Sequence, residues 1–269
     1  MFSPPHPAPR CGHTGYQHPK CYARADGDCS TKISKEHFIS RALLQRIAID
    51  ATAKIAGLAW QRPQTFNRIP VDGLASNILC DRHNSILSSL DQTMTRFVRA
   101  IHHFDRSSVK GFSSRTFDGT HIERWMLKCI IGLVASKNLR STIKFECVDV
   151  LFERISWPEG WGVYFNLANG PVYHTDSILI ETLVGPSQLI LAVKFFLQGL
   201  PFVLCLGKPD NPRAFGTWRP TEIKLRCEAA ERSLKFQWEK LPHGDSITLT
   251  RTGSYDGHPP DWKEWERIA

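Results

Sequence analysis

The sequence lacks any unbroken apolar run long enough to cross a bilayer. Its most apolar stretch, Leu189 to Leu206, is interrupted by Lys194, Gln198, Gly199 and Pro201. It therefore reads as helix–turn–strand, not as a span of about 20 apolar residues. The opening residues, MFSPPHPAPR, have no apolar centre and so no recognisable secretion signal. Together these absences predict an intracellular, cytoplasmic chain whose thiols stay reduced. A glycine-rich phosphate loop is missing, as is a nucleophile elbow. No internal repeat or low-complexity run is present, which argues against a solenoid.

What is present is ample core material and a skewed charge. The chain has 269 residues, 42% hydrophobic and 22% charged, with eight Trp and fifteen Phe. That suffices for one large or two ordinary domains. The net charge is +8, and its distribution is uneven. Residues 1–110 carry 15 Lys/Arg against 8 Asp/Glu, whereas residues 111–269 carry 19 against 18. A basic N-terminal part suits a polyanion such as nucleic acid, although a merely soluble basic domain has the same composition. In a reducing compartment eight Cys are better explained by metal binding and core packing than by disulfides.

Periodicity divides the chain. Residues 1–19 read as a Pro-rich arm. Thr31–Phe38 reads as a short strand, and Ser40–Ala56 as a helix stopped by Gly57. Residues 60–76 form a loop or hairpin, followed by a short strand at Ser76–Cys80. A helix from Ser85 carries Ile86, Leu87, Leu90, Met94, Phe97, Val98 and Ile101. A polar linker covers 105–119, and a capping box, Thr120-His-Ile-Glu123, opens an apolar helix. Beyond it, strands are expected near 161–166, 177–184, 202–206, 233–238 and 246–250, with a helix at Ser187–Leu200. The predicted class is α+β, with residues 20–110 forming one domain. Residues 111–269 form a second α+β domain with a mainly antiparallel sheet.

Four pieces carry chemistry: Cys21-x7-Cys29, Glu36-His37, Asn77, and Cys80-x-x-His83-Asn84. Structural zinc takes four N or S ligands, usually as two close pairs. Cys80 and His83 make a good pair. Cys21 and Cys29 make a looser one, and Cys11 with His13 could replace them. Each could also be an ordinary buried thiol. Cys129, Cys147, Cys205 and Cys227 lack ligand spacing and read as core, as do Trp125, Trp161, Trp218 and Trp238. Cleaving a phosphodiester needs a base for water and a cation for the leaving oxygen. A neutral imidazole suits the first task, and a carboxylate with an amide oxygen suits a hard ion such as Mg²⁺.

Lys35-Glu-His-Phe-Ile-Ser-Arg-Ala-Leu43, followed by Asn77-Ile-Leu-Cys-Asp-Arg-His-Asn84, resembles the HNH endonuclease family. This is the zinc-braced branch of the ββα-metal nucleases, and the likeness covers about residues 20–95. It implies an N-terminal ββα-metal finger with a structural zinc on Cys21, Cys29, Cys80 and His83. It also implies that His37 activates water and that Glu36 and Asn84 hold Mg²⁺ or Mn²⁺ on the phosphate. Asn77 would orient His37. The substrate implied is DNA, in a setting such as phage defence. The sequence departs from the family in placing His83 at the second Cys, Ser40 at a Pro and Asn84 at the final His. Among the basic residues, Arg41, Arg82 and Lys35 lie nearest the motif and are the candidate phosphate contacts. A non-catalytic zinc module that binds nucleic acid, or a platform for a protein partner, is the rival reading. Residues 111–269 offer no nameable chemistry and are the candidate region for a partner or regulator.

Overall fold

The computed structural model describes residues 13–63, 65–106, 111–165, 171–174, 176–207, 215–227, 230–239 and 246–254. Cys11 and most of the Pro-rich arm lie outside them. In chain order the elements are β1 (Ile33–His37), α1 (Arg41–Ile47), β2 (Thr52–Ala56), β3 (Asn67–Pro70), β4 (Ala75–Cys80) and α2 (Asp81–Arg106). Then follow β5 (Gly111–Asp118), α3 (Gly119–Ala135), α4 (Glu146–Leu151), β6 (Gly162–Phe165), β7 (Pro171–His174) and β8 (Ser177–Val184). The chain continues with β9 (Ile190–Leu197), β10 (Leu200–Cys205), β11 (Thr217–Trp218), β12 (Glu222–Cys227), β13 (Ala230–Gln237) and β14 (Ser246–Ser254).

The class is α+β, as expected. The strands form a two-stranded β1–β4 pair, a seven-stranded sheet in the order β11-β6-β10-β9-β8-β2-β3, and a five-stranded sheet in the order β5-β13-β12-β14-β7. The seven-stranded sheet is antiparallel except where β2 runs parallel to β8. The five-stranded sheet departs from the expectation. Only β12–β13 is antiparallel there, and β5–β13, β12–β14 and β14–β7 are parallel. Partners so distant in sequence are joined by long crossovers, which leave no hairpin signal to read. The seven-stranded sheet also spans the expected boundary at 110/111, because β2 and β3 complete a sheet begun by residues of the second half.

Several local expectations are corrected. The helix read over Ser40–Ala56 ends at Ile47. Asp50 (φ 51°) and Ala51 (φ 56°) turn left-handed, and Thr52–Ala56 becomes β2. Gly57 is not a helix stop. Its φ is 98°, and a Cβ there would lie 1.7 Å from the Ile180 carbonyl oxygen, so only glycine lets β2 lie against β8. The helix read over Ser187–Leu200 is β9, which folds back into β10 around Gln198 (φ 51°) and Gly199 (φ 80°). Two central residues with positive φ match the strand twist, and the β-branched and aromatic residues of this buried run pack better on a pleat. The expected polar linker over 105–119 contains β5. The capping box fails as well. Asp118 caps α3 by accepting from the His121 N–H at 2.9 Å, and Glu123 is buried against Arg219. Trp125, Trp161 and Trp238 are buried as expected, but Trp218 is partly exposed. Cys129, Cys147 and Cys205 are core residues, while the Cys227 side chain lies outside the described set.

The long helix α2 is wedged between the sheets. Phe97 meets Phe117 of β5 at 5.2 Å and Phe202 of β10 at 5.9 Å, both edge-on, and Phe236 of β13 at 5.8 Å. Truncating such a buried ring costs about 3–5 kcal/mol. This anchor fixes the whole helix, including its first turn, where His83 and Asn84 stand. Among the described residues no helix is long and apolar enough to cross a membrane.

Candidate metal centre

The β1–β4 pair and the start of α2 bring the sequence motifs together. Ile33 pairs with Cys80 at one end of the ladder and His37 with Ala75 at the other. Cys80 closes β4, and α2 begins at the next residue, so His83 falls in the first helical turn. The segment before β1 is tied to the same place, because the Tyr22 N–H donates to the Ile78 carbonyl at 3.0 Å. Cys21, Cys29, Cys80 and His83 thus converge, all buried, with ligand atoms within 4.8 Å of one another. His83 Nδ1 lies 3.5 Å from Cys21 Sγ, 3.8 Å from Cys29 Sγ and 3.1 Å from Cys80 Sγ.

These distances fit a tetrahedral ion. Zinc–sulfur bonds of about 2.3 Å and zinc–nitrogen bonds of about 2.0 Å put neighbouring ligand atoms roughly 3.5 Å apart. Three thiols and an imidazole form a soft donor set of the kind that holds zinc. Without a cation their burial is unfavourable to ionisation. It pushes the Cys21 thiol up to about 12 and raises that of Cys29. At Cys80 burial acts the same way, but hydrogen bonds from the His83 and Ser30 amides outweigh it and lower the pKa. A buried Cys3His cluster that can hold a metal ion such as zinc is therefore present. His13 is not part of it; its Nε2 meets the Asp26 carbonyl at 2.7 Å.

At the other end of the ladder the candidate catalytic residues are arranged differently. His37 is half-buried. Its Nε2 has no hydrogen-bond partner among the described residues, and Asp72 Oδ1 lies 3.8 Å away. Burial, then the Arg41 guanidinium, holds its pKa below the ordinary histidine range, so the ring is neutral at pH 7. The Glu36 carboxylate points inward, 2.6 Å from Lys128 Nζ of α3, and both side chains are almost fully buried. Asp91 of α2 holds the same ammonium through both oxygens, at 2.8 and 2.7 Å, and contacts Ser40 and Trp125. Burial raises the Glu36 pKa, with Lys128 opposing it. Burial also works against the Lys128 charge, but Asp91 and then Glu36 outweigh it and raise its pKa. The α3 backbone comes this close because Gly132 faces Phe38, where a Cβ would sit 2.8 Å from the Phe38 Cβ.

Asn84 lies in the first turn of α2, half-buried, and shares a helix face with Asp91. Seven residues put it about 10 Å nearer the helix start. The α2 residue brought to Glu36 is accordingly Asp91. Asn77 is exposed on β4 at a bulge, where Asn77 and Ile78 together oppose Lys35. Lys35 is exposed. Arg41 opens α1 and pairs with Asp72 at 3.3 Å, and Arg82 grips Asp28 through Nε at 3.0 Å and Nη2 at 2.9 Å. Sequence reasoning missed Asp26, Asp72, Asp91 and Lys128. Each is one charged residue among many, and only the packing of distant segments singles it out.

Compared with protein-family models, curated proteins and solved structures, the chain matches none of them.

Proposed function

We propose that this chain is an HNH-type endonuclease that hydrolyses phosphodiester bonds, with DNA as its substrate. The reading is supported by one arrangement: an antiparallel strand pair running directly into a helix, with a buried Cys3His cluster at the junction and a neutral histidine at the end of the first strand. In this reading zinc is structural. When bound, it would be held by the three thiolates and the His83 imidazole, would offset two of the three thiolate charges, and would tie the loop before β1 to the start of α2. The neutral His37 ring accepts the proton of the attacking water. The Arg41 side chain, largely exposed beside it, supplies positive charge for the phosphate. Arg82 and Lys35 extend that charge along the same strand pair and helix start.

The divalent ion implied for Glu36 and Asn84 does not fit the residues as they stand, because Glu36 already faces an ammonium at 2.6 Å. The same contact favours a second reading: a zinc-braced module that binds nucleic acid without cutting it. Incubating supercoiled plasmid with the full chain in Mg²⁺ or Mn²⁺ separates the two, with His37→Ala as control. Nicking that is lost in His37→Ala is the expected result. Salt-dependent DNA binding without nicking selects the second reading, and the absence of both cleavage and binding defeats each of them.

A further inference from the structure

The metal cluster is supported from outside itself, by residues that are distant in sequence. His83 turns Nδ1 to the thiols, so only Nε2 is free to make another contact. That nitrogen faces Asp26 Oδ2 at 3.2 Å. A carboxylate on the Nε2–H fixes the tautomer that leaves the Nδ1 lone pair for a metal. Asp26 closes a 3₁₀ turn, Arg24–Asp26, within the Cys21–Cys29 loop. The seven residues between those cysteines, too many for an ordinary zinc pair, are the length that brings this carboxylate to the histidine.

The same Asp26 oxygen accepts from Arg154 Nη2, while Arg154 Nη1 binds Asp149 at 2.6 Å. Phe152 lies edge-on to the His83 ring at 5.2 Å, and the Arg154 guanidinium covers Phe152 at 5.2 Å. Arg124 of α3 holds this segment from the other side, through the Leu151 carbonyl at 2.6 and 3.0 Å and through Glu153. The residues that follow α4 are thus packed directly on a metal ligand that belongs to the N-terminal part.

We propose that the metal centre is a clasp between the two halves of the chain. Asp26 and Arg154 are its positioning residues, and zinc occupancy and the docking of residues 149–154 are one coupled equilibrium. By linkage, whatever loosens that segment weakens zinc binding, and removing zinc loosens the segment. The clasp rests on the metal site alone and not on any cleavage activity.

Zinc competition against a chromogenic chelator, on the full chain, tests the first direction. Asp26→Asn and Arg154→Ala lower zinc affinity by about 10- to 100-fold, the range typical of partners behind a metal-bound histidine. Arg226→Ala breaks an exposed ion pair with Glu231 and makes the same charge change as Arg154→Ala, and it leaves the affinity unchanged. Hydrogen exchange on the unsubstituted chain, with and without zinc, tests the other direction and needs no variant to fold. Residues 146–154 exchange faster once zinc is stripped, while β12 and β13 keep their protection. Unchanged affinity in both clasp variants overturns the proposal. So does zinc removal that leaves 146–154 as protected as before, or that exposes β12 and β13 equally.

Discussion

Two buried polar clusters lie at opposite ends of the short β1–β4 ladder. At the Cys80 end, three thiols and an imidazole converge with their lone pairs facing one another. At the His37 end, Glu36 and Asp91 converge on Lys128, a cation that the chain supplies itself. Bringing anions together in a low-dielectric interior is unfavourable unless a positive charge joins them. The first cluster can take that charge from a metal ion such as zinc, and without one burial keeps its Cys21 and Cys29 thiols protonated; the second has already met the need with a covalently attached ammonium. The cluster beside Cys80 can hold a divalent ion, whereas Glu36 already faces the Lys128 ammonium.

The strongest way to break the comparison is to remove a donor from the first cluster. Cys80→Ser is expected to abolish stoichiometric zinc and to loosen the segments that the cluster ties together, lowering the melting temperature while the two large sheets keep their own core. Elemental analysis and thermal melting read both losses, and a variant that keeps zinc and its melting temperature contradicts the assignment. The second cluster should respond less. Lys128→Met leaves the buried Glu36 and the half-buried Asp91 without their cation and is expected to destabilise by about 3–5 kcal/mol. Adding Glu36→Leu to it recovers most of that loss, as urea unfolding will show. A Lys128→Met variant that gains tight Mg²⁺ binding would instead reveal a latent site at Glu36.

The smallest effect sharpens the contrast between neutral and charged imidazole. The folded pKa of His37 lies below the unfolded value of about 6.5, because burial and Arg41 disfavour its protonation. Above pH 6.5 the ring is neutral in both states and contributes no pH dependence. As pH falls below 6.5 the unfolded chain takes up a proton that the folded chain does not, so stability declines until the folded pKa is reached. His37→Gln is expected to flatten that part of the pH–stability curve, with denaturant titrations between pH 7 and 5 as the measurement. His83 has a lowered pKa as well, from burial, and zinc loading must be held constant throughout.

The parts of the fold legible in the sequence were those carried by local pattern. The strand ending at His37, the strand ending at Cys80 and the apolar helix that follows all stand within a few residues of where periodicity put them. Cys80 and His83 were legible as a pair from spacing and residue type; Cys21 and Cys29 stood only as a looser pair with Cys11 and His13 as substitutes, and the fold brings Cys21 and Cys29 to them. Short apolar runs were not. Ile190–Leu197 is apolar enough for either helix or strand, and only its partners β8 and β10 decide. The orientation of Glu36 was equally hidden. Glu-His at a strand end looks the same whether the carboxylate faces solvent or Lys128, 92 positions away in sequence.

The sequence by itself determined which side chains carry donors for a soft cation, and that a histidine closes the first strand of the pair. Tertiary structure alone decided how each charge is answered. It sent Glu36 to Lys128 and Asp91, placed Asp26 behind His83, and ran one sheet through both halves of the chain. The reason is physical. Ligand chemistry depends on the atoms a residue carries, whereas the state of a buried charge depends on what other segments bring within a few ångströms, and no local pattern records that.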